Sequence, residues 1–223
     1  MRQLIDLSHE IGHGTVTYKG LPAPIICDFL SREASRDLYE AGTEFHIGKI
    51  EMVANSGTYV DSPFHRYADG KDLAELPLES LVDLPGIVVD ATHAGTVLNK
   101  SLFESRDVKG RAVLVRTDWS RHWGADQYFE GHPHLTEDAA VWLRDAGAVI
   151  VGIDSYNIDD VSGRTRPVHS TLLAADIPIV EHMTNLSAVP AGDFRFHAAP
   201  VKVRRFGTFP VRCYAVVDGD KTE

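Results

Sequence analysis

Cysteine is nearly absent from this chain, which holds only Cys27 and Cys213 in 223 residues. Two distant thiols cannot build a disulfide framework, and without a Cys-x-x-Cys pair there is neither a thiolate zinc site nor a dithiol redox motif. Long apolar runs are missing as well. The longest, residues 147–153, falls far short of the roughly 18 residues a membrane-spanning helix needs. The opening MRQLIDLSHEIGHG lacks the apolar core of a secretory signal, so the expected location is the cytoplasm. Positive charge is scarce: 22 Lys and Arg face 32 Asp and Glu, a net charge of −10. Nucleic-acid binding needs a basic stripe to displace counterions, and an anionic membrane surface attracts the same kind of patch, so neither partner is expected. A Gly-x-Ser-x-Gly elbow and a Gly-Lys-Ser/Thr phosphate loop are also lacking, and Gly12-His13-Gly14 has no third glycine for a dinucleotide fingerprint.

What remains is a chain with 43% hydrophobic and 24% charged residues, a balance that folds rather than stays disordered. Its length suits one domain with a sizeable core, and no linker, repeat or composition shift divides residues 1–223. Histidine is plentiful at eleven residues. Any bound metal would therefore be held by imidazole and carboxylate.

Compact Val/Ile-rich runs at residues 111–117, 148–154 and 177–183 predict strands buried on both faces. Residues 45–55 and 200–206 mix apolar with charged positions, as strands with one wet face do. Further strands are expected at 86–92 and 210–218. A helix is predicted after Thr136, with Glu137 and Asp138 in its first turn, Ala139, Ala140, Leu143 and Ala146 on its apolar face, and Gly147 as its stop. Shorter helices are expected at 169–175 and 77–82. Together these elements predict an α/β fold with a mixed sheet.

Two constellations could carry chemistry. In Asn55-Ser56-Gly57-Thr58-Tyr59-Val60-Asp61-Ser62-Pro63-Phe64-His65, glycine and proline stiffen a loop that presents an amide, a phenol, a carboxylate and an imidazole. The plainer alternative is a turn whose Asp and Asn cap backbone donors. The second constellation is His169 with Glu181. A helix of about six steps from His169 rises roughly 9 Å, and a strand from Pro178 to Glu181 covers roughly 10 Å. A helix–turn–strand unit could therefore return Glu181 to the level of His169. A carboxylate inside the apolar run IPIVEHM needs a cation, a metal or strong hydrogen bonds, and pairing with Arg166 is the competing explanation. His132-Pro133-His134 has chelating residue types but reads more simply as a loop.

Segment 55–65 resembles the motif His-x-Gly-Thr-His-x-Asp-x-Pro-x-His of the cyclase-like, metal-dependent hydrolases, a family that includes bacterial kynurenine formamidase and isatin hydrolase. Ile5-Asp6-Leu7-Ser8, Gly152-Ile153-Asp154-Ser155, His169, Ile177-Pro178-Ile179-Val180-Glu181 and Thr184-Asn185-Leu186 are similar to its other landmarks, so the resemblance covers nearly the whole chain. The family's first two motif histidines are Asn55 and Tyr59 here.

The resemblance implies a single domain of the swivelling β/β/α type, assembled into homodimers or homotetramers. It also implies a hydrolase that opens an amide, lactam or lactone of a small aromatic substrate. Asp61, His169 and Glu181 would hold a divalent metal. With an amide and a phenol replacing two imidazoles, one ion is expected rather than two, zinc first and manganese as the alternative. His65 would move the proton, since an imidazole titrates near working pH, and Tyr59 could donate to the oxyanion. Asn55, Phe64 and Trp123 would contact substrate, with Phe29 a further candidate for a ring-accepting pocket. Two other readings stay open: a metal-free isomerase or cyclase using His65 with Asp61 or Glu181, and a non-catalytic binder of a small aromatic ligand.

Overall fold

A computed structural model describes residues 1–218 of the chain. In order, the strands begin with β1 (Arg2–Asp6), β2 (Ile25–Leu30), β3 (Ile47–Glu51), β4 (Tyr59–Asp61) and β5 (Leu84–Asp90). They continue with β6 (Val97–Leu98), β7 (Ala112–Arg116), β8 (His134–Leu135), β9 (Ile150–Ile153) and β10 (Ile179–Glu181), and close with β11 (Phe194–His197), β12 (Thr208–Pro210) and β13 (Tyr214–Asp218). The helices are α1 (Arg32–Ser35), α2 (Glu137–Asp145) and α3 (Pro167–Leu173). Among the described residues none is long and apolar enough to cross a membrane.

Among those residues nine strands join in one mixed sheet of order β1-β13-β11-β5-β7-β9-β10-β4-β12. Its centre, β5-β7-β9-β10, is parallel, and both flanks are antiparallel. The apolar runs are continuous because the central strands are covered on both faces. Along β7, Ala112 and Leu114 enter one core cluster, while Val113 and Val115 enter the other, beneath α2 and α3. Ile179 and Val180 of β10 divide in the same way. Helix α2 starts where expected and buries Ala139, Ala140 and Leu143, and Gly147 follows its end at φ 84°. Thr136 does not cap it through its side chain; the hydroxyl turns to Asp138 and the Leu98 carbonyl.

Four local expectations need correction, the first being the helix at 77–82, which is only a 3-10 turn over Leu78–Ser80. Residues 200–206 form no strand: Arg205 takes φ 58°, its N–H is drawn to Asp72, and the Phe206 carbonyl accepts from Leu73 N. The single strand expected at 210–218 is broken: Pro210 ends β12, and β13 takes only Tyr214–Asp218. The stiffened loop expected at 55–65 contains strand β4, held between β10 and β12. Apart from the main sheet, β2 and β3 pair as a two-stranded arm on which every residue of β3 is exposed.

Candidate active site

Strand register assembles the site. In β4, Asp61 lies opposite Thr208 of β12 and Ile179 of β10, and Tyr59 lies opposite Glu181. Helix α3 supplies His169 from the neighbouring layer. The loop after β4 makes one 3-10 turn, Pro63–His65, under Gly207. A Cβ on Gly207 would stand 2.5 Å from the His65 backbone nitrogen, so only glycine allows β12 to begin so close to this histidine.

His169 is the hub. Its Nδ1 lies 2.6 Å from Asp159 Oδ2, and the same carboxylate accepts from the backbone N–H groups of Val168 and His169. Asp159 thus caps α3 and fixes the imidazole tautomer, with the proton on Nδ1 and Nε2 turned inward. Nε2 faces Asp61 Oδ2 and Glu181 Oε1, each at 3.6 Å. Glu181 Oε1 also accepts from Ile158 N at 2.7 Å, and its Oε2 accepts from the Tyr59 hydroxyl at 2.7 Å. Arg166 does not pair with Glu181. Its Nη1 bonds instead to the carbonyls of Asp160, Gly163 and Thr165.

Two hydrogen-bonded chains converge on these carboxylates. The Thr208 hydroxyl donates to Asp61 Oδ1 and sits 2.8 Å from His65 Nδ1. One hydroxyl has one proton, so His65 Nδ1 must be the donor to Thr208, which leaves His65 Nε2 open to the cavity. On the other side, the Tyr59 hydroxyl spends its proton on Glu181 and lies 3.2 Å from His182 Nε2, while His182 Nδ1 lies 2.8 Å from the Tyr128 hydroxyl. By the same count, Tyr128 donates to His182 and His182 donates to Tyr59. His182 reaches the hydroxyl that its neighbour Glu181 also binds because it takes φ 55° at the end of β10, breaking the alternation of a strand. Thr58 Oγ1 donates to the His182 carbonyl and holds that turn.

Burial sets the electrostatics. Asp61, Asp159 and Glu181 are each at most 1% exposed, and among the described residues their ion-pair partners are only His65 and His169. Burial pushes the Asp61 carboxyl up, but His65, His169 and Thr208 outweigh it and hold the group below its ordinary range. Glu181 is raised by burial, which His169 opposes and the charge of Asp61 reinforces. Burial works against a charged His169, yet Glu181, Asp159 and Asp61 together lift it to about 10. Tyr59 is pushed well above the usual phenol range, first by burial and then by Glu181 and Asp61. His182 is depressed to about 3 by burial.

This environment fits a cation. Asp61 Oδ2 is buried without a hydrogen-bond partner, and three buried carboxylates face one or two imidazolium charges at most. Donor atoms about 2.0–2.2 Å from a shared tetrahedral ion lie roughly 3.3–3.6 Å apart, close to the two 3.6 Å separations at His169 Nε2. Donor atoms of Asp61, His65 and His169 also lie within 4.8 Å of one another.

Asn55, Tyr59, His65, His169 and Glu181 line one cavity of about 900 Å³. Phe64 and Trp123 are half-buried and Phe29 is 75% exposed on β2; none of the three lines that cavity. Trp123 stacks on His9 with ring centres 4.1 Å apart. The aromatic walls come from Tyr18 and Tyr59. Asp159, Thr208, His182 and Tyr128 carry no signal in the sequence, where no spacing ties them to Asp61, His169 or Glu181.

The model of the Cyclase family, described as "Putative cyclase", matches residues 5–160. A kynurenine formamidase of Bacillus cereus is 30% identical over 209 residues, spanning 93% of this chain and 94% of that enzyme. Another kynurenine formamidase, from Bacillus mycoides, is 29% identical over 211 residues, 94% of this chain and 95% of that one. Among solved structures, "The Structure Of Potential Metal-Dependent Hydrolase With Cyclase Activity" superimposes with TM-score 0.81 at 26% identity, covering 99% of this chain and 100% of that one. An isatin hydrolase bound to the product analogue thioisatinate shares the fold, with TM-score 0.82 at 23% identity over 98% of this chain and 93% of that one.

Proposed function

The chain belongs to the Cyclase family, and from that premise we propose that it is a metal-dependent hydrolase cleaving the C–N bond of a small aromatic amide or lactam, with a lactone as the oxygen counterpart. The observation that carries this reading is the convergence of Asp61 Oδ2 and Glu181 Oε1 on His169 Nε2, whose tautomer Asp159 fixes. Asp61, His169 and Glu181 would hold the ion. His65 is the other donor near Asp61 and His169, but its Nδ1 is occupied by Thr208. One nitrogen and two carboxylates suit zinc, with manganese next. A single ion is proposed because Asn55 offers only an amide and the Tyr59 proton is committed to Glu181.

When bound, such an ion supplies carbonyl polarisation and a lowered pKa for water. The residues of the chain do the rest. His65, oriented by Thr208, takes a proton from the attacking water at Nε2 and returns it to the leaving nitrogen, so that water and amide become carboxylic acid and amine. Tyr59 positions Glu181. The oxyanion role expected for Tyr59 would compete with that hydrogen bond, and we assign it the positioning role. Asn55 at the cavity wall is left to contact substrate.

Assembly with a second copy through the β2–β3 arm is part of the proposal. Ile25, Phe29, Phe45, Ile47 and Ile50 are between 48% and 75% exposed there. The chain's accessible surface of 12087 Å² also exceeds the roughly 10,100 Å² expected of a compact monomer of this mass. Counted on both copies, that excess falls in the range of roughly 2,000–5,000 Å² that obligate homodimers bury. A cytoplasmic location is proposed with it.

One observation favours a second reading. A His169 raised to about 10 is a well-paired imidazolium, so a metal-free acid–base enzyme using His65 and Glu181 would also be electrostatically coherent. Turnover of aryl formamides and isatin-type lactams before chelation, after chelation and after zinc is restored tests the choice. Loss and recovery of turnover support the hydrolase, whereas activity untouched by chelation supports the acid–base enzyme.

A further inference from the structure

The cavity is charged in two layers. Its floor holds Glu181 and His169 beside buried Asp61, and its wall and mouth carry Lys19, Arg66, Arg164 and Arg166. In a chain of net charge −10, four cations around one opening concentrate positive potential where the molecule as a whole repels anions. The acidic residues on the lining are Glu137 and Glu181.

Arg166 differs from the other three. It is half-buried immediately before α3, and three backbone carbonyls hold its Nη1, at 3.2 Å from Asp160, 3.0 Å from Gly163 and 2.7 Å from Thr165. Those bonds fix the guanidinium plane yet neutralise none of its charge. Among the described residues no carboxylate lies within ion-pair distance of it. Its Nε and Nη2 donors are not used by these carbonyls, and the side chain also reaches the Tyr18 hydroxyl, itself on the cavity lining. Tyr18, beside Arg166 and in the field of Glu181, spans the interval between wall and floor. A guanidinium held in place, its charge balanced by no carboxylate and lining a cavity, is arranged for a planar oxyanion, which it can grip with two parallel N–H bonds.

We infer that the substrate carries a carboxylate besides its scissile amide, and that Arg166 selects it. This rests on the hydrolase reading above. The two layers also orient such a molecule: Asp61 and Glu181 repel the carboxylate from the floor, the cationic wall holds it outside, and the neutral amide enters first.

Calorimetric binding of 3-aminobenzoate and of neutral 3-aminoacetophenone to the full chain tests this without turnover. The expected result is tighter binding of the carboxylate by about ten- to a hundredfold, the range of a charge-assisted bidentate contact, with the preference shrinking as salt rises. Arg166→Gln should remove the preference and leave 3-aminoacetophenone unchanged, and Arg166→Lys should restore part of it. Equal affinity of the wild type for both compounds, binding of neither, or a preference that survives Arg166→Gln overturns the assignment. Should Arg166→Gln lose both compounds through loop disorder, the wild-type preference together with its salt dependence and the Lys variant decide. Turnover of 3-formamidobenzoate and 3-formamidoacetophenone is measured alongside. Absence of both turnovers with the binding preference intact defeats the hydrolase reading alone, and equal turnover without a binding preference defeats the Arg166 assignment alone.

Discussion

The hydroxyl of Tyr59 donates to Glu181 Oε2 at 2.7 Å across the register pair that joins β4 to β10. The phenol thus holds a buried carboxylate in place by hydrogen bonding. Tyr59→Phe removes that donor and leaves a buried oxygen of Glu181 unpaired. The fold should survive with a loss of about 1–3 kcal/mol, and affinity for zinc should fall by about 10- to 100-fold, as when a supporting bond to a ligand is lost. Competition titration against a chromogenic chelator, beside a denaturant melt, checks both; unchanged zinc affinity would remove Tyr59 from the support of the site.

His65 and Thr208 should separate by kinetics. His65→Ala is expected to lower kcat by about 10²- to 10⁴-fold while metal content and fold stay intact. Thr208→Val, which abolishes the link from His65 Nδ1 to Asp61, should lower kcat less, by roughly tenfold, and move the pH–rate profile; Thr208→Ser should recover both. Full activity of His65→Ala in steady-state assays would exclude it from proton transfer.

Stability should fall on mild acidification. His9 is stacked on Trp123, its Nε2 is buried without a partner, and burial lowers its pKa from 6.5 to about 4. A depressed folded-state pKa means that the unfolded chain binds the extra proton below about 6.5. The resulting stability is intact above pH 6.5 and is lost progressively as pH falls toward 4. His9→Phe, keeping the stack without the titration, should flatten that decline. Melting temperatures of the two proteins at pH 7.5 and 5.0 should differ in their pH dependence by a few degrees, about the effect of 1 kcal/mol at this size. Identical declines would show that His9 is not responsible.

The arm makes a separate prediction. Phe45 and Ile50 are 53% and 57% exposed, and a charge on either would be buried unpaired in an interface between copies. Phe45→Glu with Ile50→Glu should shift the chain from dimer to monomer in sedimentation velocity, with its far-UV spectrum unchanged. A wild type that sediments as a monomer at micromolar concentration refutes the arm as an interface.

How much was legible in the sequence follows from where the information lies. Strands β7, β9 and β10 and helix α2 announce themselves because each is a local pattern of apolar spacing with its own stop signal. Strand β4 does not: it is three residues long, flanked by Gly57 and Pro63, and its Tyr59 and Asp61 are polar-bearing residues that become buried only between β10 and β12. The alternation at 200–206 pointed to a strand, but tertiary bonds to Asp72 and Leu73 draw that backbone away from any ladder. Asp61, His65, His169 and Glu181 were readable through the resemblance, and the helix–turn–strand arithmetic placed the last two near each other. Their supports were not. Asp159 lies 10 residues from His169, His182 lies 123 from Tyr59 and Thr208 lies 147 from Asp61; no local pattern encodes such partners. Phe29, Phe64 and Trp123 do not line the cavity, because aromatic residue type says nothing about which layer a side chain faces.

Metal stoichiometry by elemental analysis of the untagged chain, measured together with Asn55→His/Tyr59→His, tests the central claim most directly. The account predicts close to one divalent ion per wild-type chain, held by Asp61, His169 and Glu181, and close to two in the double variant. A catalytically active wild type without stoichiometric metal, or a double variant whose metal content does not rise, would contradict it.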